Sequence, residues 1–403
     1  MITQIAWRNV WRNKVRSLVV IASVAVGIWA ATFIAAFSSG MRHRYVETAI
    51  HSEVSHIQVH ALGYLDDPEL SESIPDVNKI VSQIKKIPEV KSIASRLLVN
   101  AMAATTSTST GVLLRGIDTL DENNTTGIGK NIIEGNYLSG ATLPAFISSE
   151  LADKLHLKLK HKIVFTFQDV QGNMVSAAFR VTGIFKMNNS TFDLQNVFLR
   201  DSDLSALLKM DGEASEIAIL LKNDKDVPAV LSKLKTLIPE YEVKDWKQIA
   251  PELALTVDSL NETLYMFILI IVLALVFGIV NTMLMAVLER SHEIGMLMAI
   301  GMNRKKLFRM IMTETFYLSL VGTPIGLLLA YITIVLTGKY GISLALFAQG
   351  LSSYGISKMV YPELEASVYG VIAVFIFTGT LLASFYPAIR ALKLNSVEAM
   401  RAV

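Results

Sequence analysis

"LERSHEIGMLMAIGMNRKK", residues 288–306, lies between two of the most hydrophobic runs in the chain. As a helix it carries Glu289 and Glu293 in its first turns, where the positive end of the helix dipole favours carboxylates. Ile294, Leu297 and Met298 give it an apolar surface, and Gly301 stands where a helix stop is expected. Gly295 and Ala299, four residues apart, predict a flat strip that another backbone can approach closely. The basic cluster Arg304, Lys305, Lys306 and Arg309 follows at once. The stretch reads as a short, rigid, two-faced knob beside a membrane. The plainer alternative is an interfacial connector that touches only headgroups.

The runs on either side decide the class. The chain has 403 residues, 52% hydrophobic and 18% charged, with a net charge of +2. That is too apolar for an ordinary soluble protein and too charged for one made only of spans. Four stretches reach the roughly 20 helical residues that cross a hydrocarbon core: 18–37, 264–288, 316–336 and 368–386. None has a charged residue in its interior, and without water partners for the backbone each must be a helix. The first run is longer than the roughly 7 to 15 residues of a signal-peptide core, which favours a retained span.

Basic residues set the orientation. Arg8, Arg12, Lys14 and Arg16 precede the first span, Arg290, Arg304, Lys305, Lys306 and Arg309 follow the second, and Arg390, Lys393 and Arg401 follow the fourth. All three segments are expected on the cytoplasmic side. The predicted plan is a cytoplasmic amphipathic helix at 1–17, spans at 18–40, 262–288, 310–336 and 367–387, and an outer domain at 41–261. A cytoplasmic knob and basic loop occupy 289–309, an outer loop 337–366 and a cytoplasmic tail 388–403. Within the outer loop, "ISLALFAQGL" is too short to span. In the opening helix Arg8, Arg12 and Arg16 recur at helical spacing beside Trp7 and Trp11, a pattern suited to headgroup depth and contact with membrane lipids.

In the outer domain the pattern changes to short alternating segments. "HIQVHA", "IVFTF", "AAFRVTGIF", "NVFLR", "EIAILLK" and "YEVKDW" read as strands. "DVNKIVSQIKKI", "SSELADKLHLKL", "DSDLSALLKM" and "DVPAVLSKLKTLI" read as helices. The fold class is therefore a membrane protein with four transmembrane α-helices and a large α+β periplasmic domain between the first and second. The domain is expected in two lobes, the inner one at about 105–211. His51, His56 and His60 lie close in sequence, but without an acidic or cysteine partner in place they read as half-exposed strand histidines, not metal ligands. "TTSTST", 105–110, reads as an exposed strand edge in preference to a mobile binding loop.

Chemistry is sparse. There is no cysteine, hence no disulfide, thiolate metal site or cysteine nucleophile. No G-x-x-x-x-G-K-[ST] loop is present to cradle nucleotide phosphates, and neither H-E-x-x-H nor G-x-S-x-G occurs. The basic residues form short clusters beside the spans, which gives no case for nucleic acid. No metal, cofactor or catalytic residue is expected in this chain, so work on a substrate must be powered from outside it.

"FGIVNTMLMAVLERSHEIGMLMAIGMNRKKL", 277–307, resembles the signature of FtsX-like, MacB-type ABC transporter permeases, in which a long second span runs into a coupling helix that docks on a separate ATPase. "YPAIRALKLNSVEAMRAV" is similar to that family's ending, with Asn395 and Ser396 where the family commonly has Asp-Pro. "WRNVWRNKVRS" and "SHIQVHALGY" look most like the lipoprotein-releasing branch. The resemblance implies an inner-membrane machine of two permease chains, identical or paralogous, with an ATPase dimer that binds ATP and Mg. Glu289, Arg290, Glu293, Gly295, Leu297, Ala299 and Gly301 would be the transmission contacts. A cavity for the acyl chains of a lipoprotein or other amphiphile, between the first and second spans of neighbouring permease chains, would be lined by Phe33, Phe37, Met266 and Phe267, and a periplasmic carrier could receive the cargo. Each lipid methylene contributes about 0.8 kcal/mol, so such extraction needs an energy source. A tripartite efflux or antimicrobial-peptide export permease, and a signalling scaffold controlling a periplasmic cell-wall hydrolase, are the competing expectations. Gly322 and Gly326, a G-x-x-x-G in the third span, predict close helix packing, with Pro324 as a kink.

Overall fold

The computed structural model describes residues 2–187, 189–345 and 359–392. Most of the 337–366 loop beyond residue 345, including the end of "ISLALFAQGL", and the tail with Asn395 and Ser396 lie outside the described residues. The chain divides into two compact units, one formed by 1–42, 258–343 and the chain from 359 onward, the other chiefly by 43–257.

Two helices open the chain, α1 (Ile2–Arg12) and α2 (Lys14–Ala49). The outer segment follows as β1 (Ile57–His60), α3 (Val77–Ile84), β2 (Val90–Ala104), β3 (Ser109–Ile117), α4 (Thr119–Thr125), β4 (Ile132–Gly135), β5 (Pro144–Ser148) and α5 (Ser149–Lys154). It continues as β6 (Lys162–Gln168), β7 (Met174–Phe185), α6 (Ser190–Gln195), β8 (Asn196–Arg200), α7 (Asp201–Leu208), β9 (Glu216–Leu221), α8 (Val227–Leu237), β10 (Glu242–Asp245) and α9 (Trp246–Ile249). Then come α10 (Pro251–Glu289), α11 (Ser291–Ala299), α12 (Arg304–Tyr340), the short pair β11 (Ile342–Ser343) and β12 (Met359–Val360), and α13 (Ala366–Leu392).

Among the described residues four helices, α2, α10, α12 and α13, are long and apolar enough to cross a membrane. They outrun the apolar stretches that mark them. At about 1.5 Å per residue the 39 residues of α10 extend far beyond a hydrocarbon core of about 30 Å. Hydropathy marks only the part in hydrocarbon. The flanks stay helical because no proline or glycine interrupts α10 between Pro251, which suits a first turn, and Gly278.

Inside the membrane unit, α12 meets α2 through its glycines. A side-chain carbon at Gly326 would lie 2.7 Å from the Ala25 carbonyl, and one at Gly322 would lie 3.0 Å from that of Ile21. Only glycine lets the two backbones approach this closely. Val20, Val24, Ile28, Ile279, Met283, Leu307, Ile311 and Ile376 are buried in the core between the helices.

The outer unit holds a 10-stranded sheet that is open at one end and closed at the other. At the open end β10, β1, β9 and the first half of β2 lie side by side, all antiparallel. α3 and α8 supply Ile80, Ile84, Val230 and Leu234 to the core on this sheet. The second half of β2 pairs with β3, β3 with β8, β8 with β5, β5 with β7, β7 with β6 and β6 again with β2. That ring is a barrel, filled by alternating residues such as Leu97, Val99, Ala101, Leu114, Phe165 and Phe179.

β2 serves both cores, so the lobes divide within one strand and not at Thr105 as the segment pattern suggested. The "TTSTST" run is the tight β2–β3 turn and the start of β3, with Thr105 N–H donating to the Thr108 carbonyl at 2.9 Å. At the junction Arg96 is buried between Glu122 on α4, at 2.8 Å, and Glu216 on β9, at 2.6 Å. Burial works against the Arg96 charge, but the two carboxylates outweigh it and its pKa moves up.

Candidate functional site

The knob between α10 and α12 is fixed locally at both ends. At its end Gly301 has a φ of 97°, open to glycine and strained for other residues. The Met302 N–H donates to the Leu297 carbonyl at 2.9 Å and the Gly301 N–H to that of Met298 at 3.1 Å, the paired bonds that close a helix through a left-handed glycine. Asn303 then caps α12, its side chain accepting from the Lys305 N–H at 3.1 Å. α11 therefore stops and α12 starts with no slack between them.

Charges tie the knob to its neighbours. Arg290, at the N-cap of α11, donates through Nε to Glu293 at 3.1 Å and through Nη1 to Glu314 on α12 at 3.2 Å. Arg12, at the end of α1, forms an ion pair with the same Glu293, and Arg16 on α2 with Glu289. Hydrogen bonding from Arg12, followed by Arg290, holds the Glu293 carboxyl below the usual carboxylate range. α1 is anchored by Ala6 and Val10, which are buried, and by Trp7, whose ring meets Tyr317 of α12 edge-on at 5.3 Å. Trp11 packs edge-on against Trp7 at 5.9 Å, and Arg8 is exposed.

The site residues read from the sequence thus fall into three positions. Glu289, Arg290 and Glu293 join the ion-pair network. Ile294 and Gly295 are buried against the unit's own core, and Leu297 packs beside them. Ala299 and Gly301 are exposed, together with His292, Met296 and Ile300, of which Ile300 is 79% exposed. Gly295 and Ala299 therefore do not form one accessible strip, because Ile294 and Gly295 face inward with the apolar stripe that holds α11 to the helices. Sequence reasoning missed Glu314, two residues ahead of the third apolar stretch, and the pairing of Arg12 with Glu293, residues 281 positions apart. Only the opposite charges flanking the first two spans hinted at it.

Within the single chain, the residues expected to line an acyl cavity between neighbouring permeases lie on two helices, α2 and α10. Phe33 stacks on Trp29 at 6.1 Å and packs against Ala330 and Ile334 of α12, with Phe37 half-buried further along α2. Met266 and Phe267 are exposed on α10. In the outer unit the histidines have separate partners and two of them are buried, not half-exposed. His56 accepts the Leu221 N–H at Nδ1, 3.0 Å away, and donates from Nε2 to Asp224 at 2.8 Å. His60 donates to the Ser215 carbonyl at 3.1 Å and stacks on Tyr64. Burial moves the pKa of both rings down.

Comparison with known proteins adds two family matches. Residues 17–237 match the MacB-like periplasmic core domain and residues 265–396 the FtsX-like permease C-terminal region. The lipoprotein-releasing system transmembrane protein LolC of Neisseria meningitidis is 22% identical, over 96% of this chain and 94% of that protein. The pyoverdine export ATP-binding/permease protein PvdT of Pseudomonas savastanoi is 24% identical, over 98% of this chain and 58% of its own length. The macrolide export ATP-binding/permease protein MacB of Escherichia coli is 22% identical, over 82% and 52%. The chain thus spans little more than half the length of those two export proteins. The periplasmic region of MacB from Actinobacillus actinomycetemcomitans superposes with a TM-score of 0.37 at 11% identity, over 52% of this chain and 97% of that one.

Proposed function

This chain belongs to the FtsX-like, MacB-type family of ABC transporter permeases, and from that premise we propose that it converts the ATP-driven movement of a separate ATPase into rearrangement of its outer domain, extracting lipoproteins from the inner membrane. The observation that carries this reading is the build of α11. It is a stiff, doubly anchored knob whose outward face, His292, Met296, Ala299 and Ile300, is exposed among the described residues. An apolar, exposed helix face with a charged rim suits a protein partner. A push on α11 passes into α12 through the closed 300–303 turn, into α1 and α2 through Arg12 and Arg16, and into α10, one unbroken helix whose first turns belong to the outer unit. ATP and Mg are bound by the partner ATPases on this reading, and a second permease chain completes the machine.

Lipoprotein cargo is favoured over efflux by similarity to LolC along nearly the full length of both chains, against partial coverage of the export proteins. Depletion of the chain in its host, followed by fractionation, tests it. Lipoproteins are expected to accumulate in the inner membrane. Normal sorting with heightened sensitivity to a drug or peptide would replace lipoprotein release with export.

A further inference from the structure

α2 does not pass straight into β1. It is followed by one wide, π-helical turn, Ile50–Val54, closed by the Ser55 N–H donating to the Ile50 carbonyl five residues back, at 2.9 Å. Ser55 then takes φ 53° and ψ −174°, close to the region that glycine alone occupies without strain. The nearest glycines are Gly40 and Gly63, so an L side chain stands where glycine is the ordinary choice. That side chain is fully buried, and its hydroxyl has no hydrogen-bond partner among the described residues. Two costs meet at one residue, a strained backbone and an orphaned polar atom.

The surroundings hold Ser55 there. His56, the next residue, is fixed on two sides: its N–H donates to the Ile219 carbonyl of β9 at 3.1 Å, and its carbonyl accepts from the Trp246 N–H of α9 at 3.2 Å. From β1 the buried Gln58 side chain reaches back and donates to the Val54 carbonyl at 2.9 Å, a latch on the wide turn. The start of β1 is held, so a displacement of α2 along its axis falls on residues 50–55.

The orphaned hydroxyl points to a second position. In an α-helical turn a residue takes a negative φ and its N–H bonds the carbonyl four residues back. A serine hydroxyl can bond that same carbonyl. In that form Ser55 bonds the His51 carbonyl twice, and both costs are relieved. Glycine would fit the wide turn better but has no hydroxyl to gain in the tight one.

We propose that residues 50–55 are a two-position joint: the wide turn seen here, latched by Gln58, and a tight helical turn in which Ser55 relaxes onto the His51 carbonyl. Exchange between them adds or removes one residue of helix, about 1.5 Å of rise between α2 and β1. Val54 and Gln58 line a cavity of about 940 Å³ together with Met102 and Thr166 of the barrel, so release of the latch moves part of its wall. Ile249 and Ala250, just ahead of α10, line the same cavity. The joint's part in transmission rests on the reading under Proposed function, and the joint itself does not.

The test reads the carbon chemical shifts of Ser55 in the full chain, isotope-labelled at serine and purified in detergent, because they differ between a positive φ and a helix. The signal is identified by its loss in Ser55→Ala. The parent chain is expected to show the positive-φ value. Gln58→Met keeps the size of the side chain but removes the latch, and should move the signal at least halfway to the helical value. A helical value in the parent chain, or an unmoved signal in Gln58→Met, overturns the joint. If that variant does not fold, relaxation dispersion at the same signal in the parent chain decides: exchange with a minor helical position is expected, and a flat profile overturns the joint. In the reconstituted complex Ser55→Gly, which favours the wide turn, should lower transport-linked ATPase activity at least about fivefold without lowering the melting temperature. Unchanged activity in Ser55→Gly overturns the part in transmission, and normal lipoprotein sorting after depletion overturns only the cargo.

Discussion

Arg12 at the end of α1 and Glu293 on α11 form an ion pair, so the amphipathic N-terminal helix grips the knob. Both side chains are about half exposed, and such a pair contributes only about 0–1 kcal/mol to stability. Its effect is expected in coupling. Glu293→Arg should lower transport-linked ATPase activity of the reconstituted complex several-fold with little change in melting temperature. Adding Arg12→Glu should restore part of it, and a double variant no better than the single one would assign the pair no role in transmission.

The exposed face of α11 can be separated from its buried face. Met296→Asp and Ile300→Asp leave the core untouched and should cut binding of the ATPase at least about tenfold, measured by co-purification and surface-plasmon titration. Gly295→Trp, by contrast, should fail to fold normally, because Gly295 is buried.

Close approach of α12 to α2 sets a third expectation. Gly326→Leu forces a side chain against the Ala25 carbonyl and should cost about 1–3 kcal/mol, read as a lowered melting temperature of the full chain. Gly278→Leu, where no atom stands within 4 Å of a side-chain carbon, should have little effect.

Asp193 is buried, accepts hydrogen bonds from the Met187 N–H and lies beside Glu150. Burial, with Glu150 second, pushes its carboxyl up to about 8 from an ordinary value near 3.8. The folded state therefore keeps a proton that the unfolded chain has released. Stability is highest below about pH 4 on this account and falls by up to about 1.4 kcal/mol per pH unit as pH rises toward 8. Asp193→Asn should flatten that slope in denaturation curves between about pH 5 and 8. The neutral, buried His56 and His60 act in the opposite sense below about pH 6.5, so the difference between variant and parent isolates Asp193.

Removing one member of the buried junction should be severe. Arg96→Met leaves Glu122 without its two-pronged partner and is expected to cost about 3–5 kcal/mol.

The spans and the short strands were legible in the sequence because burial in lipid or in a sheet imposes a local period on the residues themselves. α11 was legible for the same reason, with Gly301 marking its end. Closure of the barrel was not, since it depends on β6 reaching β2 across about sixty residues, and no local pattern encodes a pairing of that range. The long hairpin Val90–Ile117 was also missed, because Arg96, which serves the junction, and Asn100 break the apolar alternation in β2. Glu314 was missed because it stands just ahead of an apolar stretch. The histidines misled because a buried ring with its own partner has the same letter as an exposed one.

β2 is a single stave shared by two vessels. A fragment cut at residue 105 would keep the barrel's other walls and lose the one that closes it, while the open sheet would keep a long strand with half its length bare. Swapping one lobe between related permeases should therefore succeed only when the exchanged piece begins ahead of Val90 and carries the whole strand with it.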